Sequence, residues 1–244
     1  MLCRCIQCEN QKLRRSVIWS ACFLIPIIPA IMGTFNYLQN LELLKSGWYS
    51  LWTQLSLFYA SIFYGPLIAL YASYLWRLEH LNNNWNKIMT MPVPVSDIFF
   101  GKLAVIFKVT VITQLWLGCL FFLCGKLSGL PGFMPAEILF WLLRGTLAAG
   151  AVGTLQLCLS MMIRSFALPI GIALCGSIAG FLLSNKGLSM YWPYSLMVAG
   201  MNSNQYKDQL SANLLPFFVS LFFFFLLFAG ISILWLKKKD IRTQ

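Results

Sequence analysis

Leu214 to Leu236 reads LLPFFVSLFFFFLLFAGISILWL, 23 residues without a charge, and Lys237-Lys238-Lys239 follow at once. About 20 predominantly apolar residues are enough to cross the hydrocarbon core as a helix. This run therefore predicts a membrane span with a basic anchor. Working outward, the chain of 244 residues holds five further windows of the same kind: Ser16–Leu38, Leu51–Trp76, Ile98–Cys124, Ala136–Ile163 and Phe166–Leu183. The hydrophobic fraction is 59%, the mean hydropathy +0.74, and only 10% of residues are charged, against roughly 25% in an average globular chain. Soluble, disordered, collagenous and coiled-coil classes are excluded. A lone open strand would leave its backbone unpaired in lipid, and no window alternates as a barrel strand does. The expected fold is all-α, one transmembrane domain over residues 1–244 with six spanning helices.

The net charge of +11 is not a nucleic-acid stripe, because the bases flank the apolar windows. With the N-terminus inside, Arg4, Lys12, Arg14, Arg15, Arg77, Lys87, Lys102, Arg164, Lys237, Lys238, Lys239 and Arg242 fall on the inner side. Lys45, Lys126, Lys186 and Lys207 fall outside. Such a bias predicts that both termini are cytoplasmic. The first window is longer than a signal-peptide core and is interrupted by Pro26 and Pro29, so it reads as an uncleaved helix.

The longest inner segment separates spans two and three. At 100° per residue, Leu78, Leu81, Trp85, Ile88 and Met89 share one side of a helix, while Arg77, His80, Asn84 and Lys87 lie away from it. Pro92 and Pro94 stop the helix and force an extended elbow. The pattern predicts a short amphipathic helix over Leu78–Met89. Two roles stay open: a helix resting on lipid headgroups, or a docking helix for a cytoplasmic partner.

Several stretches resemble the lantibiotic-immunity permeases, the six-helix membrane subunits of ATP-binding-cassette (ABC) exporters. They are Trp85-Asn86-Lys87, Pro92 to Ser96 with Ile98-Phe99 and Gly101-Lys102, Glu9 to Ser16, Trp48 to Gln54 with Phe58-Tyr59 and Pro66, and Leu155-Gln156 to Ser160 before Arg164. Bacitracin and general drug-efflux permeases are similar. The resemblance implies a bacterial plasma-membrane permease that pairs with a second homologous permease, like or unlike, and with two copies of a P-loop ATPase. It implies export of a membrane-bound peptide antibiotic, giving self-protection or resistance. On this view Arg77, Glu79, His80, Asn84, Trp85, Lys87 and Pro92 form an ATPase-coupling surface. No cofactor is expected on this chain, with ATP and magnesium on the partner.

The inventory of residues agrees with a separate motor. The chain has no Gly-x-x-x-x-Gly-Lys-Ser/Thr stretch, so it has no P-loop of its own. One histidine, His80, leaves no Ser/His pair or His-based zinc site within the spans. Cys3, Cys5 and Cys8 offer three unevenly spaced thiols on a terminus expected to be mobile, a poor metal template; no metal site is assigned. A secondary carrier would need carboxylates working inside spans and often an internal repeat, and neither is visible. A membrane sensor without transport activity is the remaining alternative.

Within the spans Arg144 stands out, since an arginine at the bilayer centre costs about 2.5–3.5 kcal/mol on insertion scales. It can snorkel, meet Glu137 seven residues back, or line a cavity and touch lipid phosphate or substrate. Trp192 and Tyr194, in the outer loop, are candidates for the same cavity against a default role in an interfacial aromatic belt. Gly145, Ala149 and Gly153 on span four, and Gly176 and Gly180 on span five, predict close helix contact, with packing between spans four and five as the expected use.

Overall fold

The computed structural model describes residues 1–81 and 84–238, all of its regular structure helical. Lys239, Asp240 and Arg242, with Asn82 and Asn83 of the inner segment, lie outside the described residues. The six spans are Ile18–Gln39, Trp48–His80, Val95–Leu127, Ala136–Met162, Ala167–Asn185 and Leu215–Lys238.

The chain opens with helix α1 (Leu2–Leu13) rather than the mobile terminus expected from sequence. It runs beside and parallel to span three: the Met1 amino group faces Asp97, the backbone at Cys5 crosses Gly101, and Asn10 meets Lys108. Arg14 is extended and Arg15 is left-handed (φ 63°), which turns the chain into span one. Span one is two pieces, α2 (Ile18–Leu24) and α3 (Ile27–Gln39), divided at Pro26, which has no N–H to continue the ladder. Span two joins α4 (Trp48–Phe58) to α5 (Tyr64–His80) through a π-helical turn at Tyr59–Phe63. Pro66 cannot bond the carbonyl four residues back, and the widened turn lies directly before it.

The inner segment departs from its expected single helix. Span two runs on to His80, Leu81 is extended (ψ 150°), and a separate helix α6 spans Asn84–Met89. The extended backbone at Leu81 ends the helix there, so the apolar periodicity of Leu78–Met89 does not run through one helix. Span three is α7 (Val95–Leu127), span four α8 (Ala136–Met162) and span five α9 (Ala167–Asn185). A six-residue helix, α10 (Ser195–Gly200), folds back from the outer loop, and span six is α11 (Leu215–Lys238). Spans two and three are 33 residues each, about 50 Å of helix. They outrun the hydrocarbon core and extend past the windows Leu51–Trp76 and Ile98–Cys124, because a helix need not end where lipid does.

Span two is the hub. Trp52, Tyr59, Tyr64, Ile68, Tyr71 and Trp76 are fully buried along it, against spans four and five. Spans five and six instead expose rows of apolar side chains, among them Ile178, Leu182, Phe222, Phe223 and Leu226, as lipid-facing helices do. The small residues of span four meet other elements than expected. A Cβ at Gly145 would lie 2.3 Å from Met201, and one at Gly153 would face Ile106, Leu103 and Ile68. On span five, a Cβ at Gly176 would lie 2.5 Å from the Tyr194 ring, and one at Gly180 would lie 2.8 Å from the Ser195 nitrogen. These glycines seat the folded-back outer segment and spans two and three; packing of span four on span five is not their use.

Candidate functional site

At the base-rich end, α6 lies against the membrane domain through Trp85. This residue is 8% exposed, and its ring packs against Trp76 (5.9 Å), Trp235 (5.7 Å) and the imidazole of His80 (5.9 Å, nearly parallel). His80 Nε2 is also 3.2 Å from the Ser160 carbonyl, and Asn84 donates to the Leu78 carbonyl at 3.0 Å. Arg77, Lys87 and Pro92 are exposed, with the Arg77 guanidinium 5.1 Å above the Phe166 ring from the turn before span five. Of the seven residues assigned to coupling, these three face outward, His80 and Asn84 are half-buried, and Trp85 faces span two.

Glu79 is turned inward. It is 3% exposed and accepts from Lys102 at 2.7 Å and from Lys12 at 2.5 Å; Glu9 accepts from the same two amines at 3.0 and 2.7 Å. Lys102 is fully buried, with its ammonium 4.9 Å above the Trp76 ring. Burial lowers the Lys12 pKa, but Glu9 and Glu79 outweigh it and hold this amine above its ordinary value. Sequence alone counts Lys102 among the inner-side bases and joins it to no carboxylate. A signal was present: Lys102 falls three residues after Phe99 and four before Ile106, in register with the buried side of α7. Cys3 and Cys8 are exposed on α1, and Cys5 is half-buried against span three. Among the described residues no three metal-binding side chains converge.

At the base-poor end, residues 192–210 form a folded cap. Arg144 donates to Asp208 Oδ2 at 2.9 Å, and Trp141 Nε1 donates to the same oxygen at 3.0 Å. Arg144 is 7% exposed, so it neither snorkels nor meets Glu137, whose carboxylate accepts from the Tyr49 hydroxyl at 3.2 Å. The physical reason is reach: Asp208 comes to Arg144 from above, whereas Glu137 lies about 10 Å away along the same helix. Burial would raise the Asp208 pKa, but hydrogen bonds from Arg144, Trp141 and the Leu210 backbone, with the guanidinium charge, hold it below the ordinary value. Trp52 Nε1 donates to the Met201 carbonyl and Trp192 Nε1 to the Gly176 carbonyl, both at 2.9 Å. Tyr194, 2% exposed, meets Gln156 inside the bundle. Asn202, left-handed at φ 48°, bonds the Gln205 and Lys207 carbonyls and the Gln209 nitrogen. Tyr194 is therefore a structural wedge rather than a belt residue. Trp192 rims a groove of about 730 Å³ between spans five and six, floored by span four and lined by Leu159, Ile172, Cys175, Phe224 and Phe228.

Six long apolar helices with a helical loop at the base-rich end and a folded cap at the base-poor end suit a membrane-transport subunit, and comparison of the sequence with family models gives a match to the ABC-2 family transporter protein over residues 5–180. The chain belongs to the ABC-2 transporter family. No curated protein and no solved structure matches it. Membership makes it an ABC permease, a multi-pass membrane subunit of a kind that normally has no catalytic site and relies on a partner ATPase. The matched residues take in most of α1, the loop carrying α6, and spans one to four with most of five. The cap and span six lie beyond them.

Proposed function

We propose that this ABC-2 permease expels a membrane-active peptide antibiotic, of the lantibiotic class, from the bacterial plasma membrane and so confers self-protection or resistance. In this reading the base-rich end and both termini are cytoplasmic. Two copies of a P-loop ATPase, which hold the ATP and magnesium, engage Arg77, Lys87 and Pro92 around α6, and a second homologous permease completes the transport path. Nucleotide binding and hydrolysis on the partner bias a two-state membrane assembly, with the Pro-braced elbow carrying motion from α6 into spans three and four. The observation that carries the substrate class is the groove between spans five and six. It follows span five from Leu168 to Ala179 alongside Phe224 and Phe228 of span six, its lining is almost wholly apolar, and Tyr191 and Trp192 rim it. A peptide anchored at headgroup level would present its apolar side chains to such a groove without first crossing water.

The test is release of a fluorescent lantibiotic from proteoliposomes holding the permease and its co-purifying ATPase, alongside growth inhibition of a sensitive host. ATP-dependent release with a raised inhibitory concentration is expected. Release without nucleotide, or sensitivity unchanged by expression, would overturn the reading.

A further inference from the structure

The four charges at the base-rich end join three elements: Glu9 and Lys12 from α1, Glu79 from the end of span two and Lys102 from the start of span three. We propose that Lys102 is a positioning residue for coupling, which makes α1, the end of span two and the start of span three move as one body, so that force applied at α6 reaches span one. This rests on the reading that the ATPase engages the loop carrying α6.

Three observations support it. First, the ring is closed and neutral, two ammoniums against two carboxylates, and its central amine is fully buried. An ammonium out of water is costly unless paired, so drawing any one of the three helices away strips Lys102 of a partner. Joint motion is the low-energy course. Secondly, one side chain links the ring to the loop: Lys102 lies over Trp76 of span two, and Trp76 packs against Trp85 of α6 with ring centroids 5.9 Å apart. Thirdly, α1 leads into span one with little slack. Its backbone crosses span three at Gly101, where a Cβ would sit 3.0 Å from Cys5. Trp19 Nε1, at the start of span one, donates to the Leu13 carbonyl at 3.0 Å. Buried ion pairs contribute little net stability beside apolar replacements, but separating one partner from the other leaves an uncompensated buried charge and is costly. Such a device suits transmission better than reinforcement.

Hydrogen–deuterium exchange on the nanodisc complex with its ATPase, nucleotide-free against vanadate-trapped, tests the proposal. In the unaltered chain, exchange at residues 2–13 and 84–94 is expected to shift together between the two states. In Lys102→Met the shift at 84–94 persists and that at 2–13 is lost, while Lys102→Arg restores it. Glu9→Gln, which removes one carboxylate at the edge of the ring, should reduce the α1 shift in the same direction should the methionine variant fail to fold. A loop that responds while α1 stays silent in the unaltered chain would overturn the inference and leave the docking reading standing. So would an α1 response in Lys102→Met equal to that of the unaltered chain. A loop that does not respond at all would sink the docking reading and the inference with it.

Discussion

Arg144 and Asp208 are unequal partners, and the inequality is measurable. The arginine is nearly buried, while the aspartate side chain is 23% exposed. Removing the carboxylate strands a buried guanidinium, whereas removing the guanidinium leaves an aspartate that water can reach. Asp208→Asn should therefore cost about 2 kcal/mol, a buried-pair penalty reduced for partial exposure. Arg144→Met should cost less, and thermal unfolding of the two variants in one detergent gives the order. A larger loss in Arg144→Met would mean that the pair is not what holds the cap. The pH dependence has a fixed sign. The folded carboxyl titrates below its unfolded value, so its contribution is present above about pH 4 and lost as pH falls through the lowered folded value. Melting temperatures measured across a pH series check this: the gap between the unaltered chain and Asp208→Asn should be widest at neutral pH and should close as the pH is lowered through the folded value.

At the scale of elements, hydropathy carried most of the fold and little of the site. All six windows became helices, because lipid leaves a crossing backbone no other way to satisfy its amides. What sequence could not convey is how the outer loop returns. Asp208 is one polar residue in a polar loop, and only the fold brings it to Arg144. Gly176 and Gly180 looked like a helix–helix contact because small residues at four-residue spacing report close approach without naming what approaches. Tyr194 is the answer, and it gives a controlled comparison. Gly176→Ala places a methyl into the Tyr194 ring and should cost about 1–3 kcal/mol by overpacking, with faster hydrogen exchange across residues 192–200. Gly171→Ala, on the same span with nothing within 4 Å of its new methyl, should leave stability and exchange unchanged. Equal effects at both positions would show that span five tolerates the cap in another pose. The inner loop is legible in part: Trp85 and the proline elbow can be read, but sequence assigns Glu79 to the coupling surface and Lys102 to the inner bases without joining them, because pairing between α1, α5 and α7 is a property of the fold.

For the whole molecule, orientation decides whether the loop carrying α6 can meet an ATPase at all. Twelve bases lie toward one side of the six spans and four toward the other, a bias that predicts the richer side to be cytoplasmic. The cysteines of α1 report on this without engineering a probe. Cys3 and Cys8 are exposed at the base-rich end, on the helix capped by Met1, whose amino group faces Asp97. Cys119 and Cys175 are exposed on the faces of spans three and five, where a charged reagent meets hydrocarbon. A membrane-impermeant maleimide should therefore give intact cells no labelling that depends on Cys3 and Cys8, and inverted vesicles strong labelling that does. The measure is the difference between the unaltered chain and Cys3→Ser/Cys8→Ser, which cancels any signal from Cys124 near the base-poor end. Labelling of that pair in intact cells would place α1, α6 and the charge ring outside. It would remove the ATPase from every step argued for them, because a nucleotide-driven motor works only on the side that holds the nucleotide.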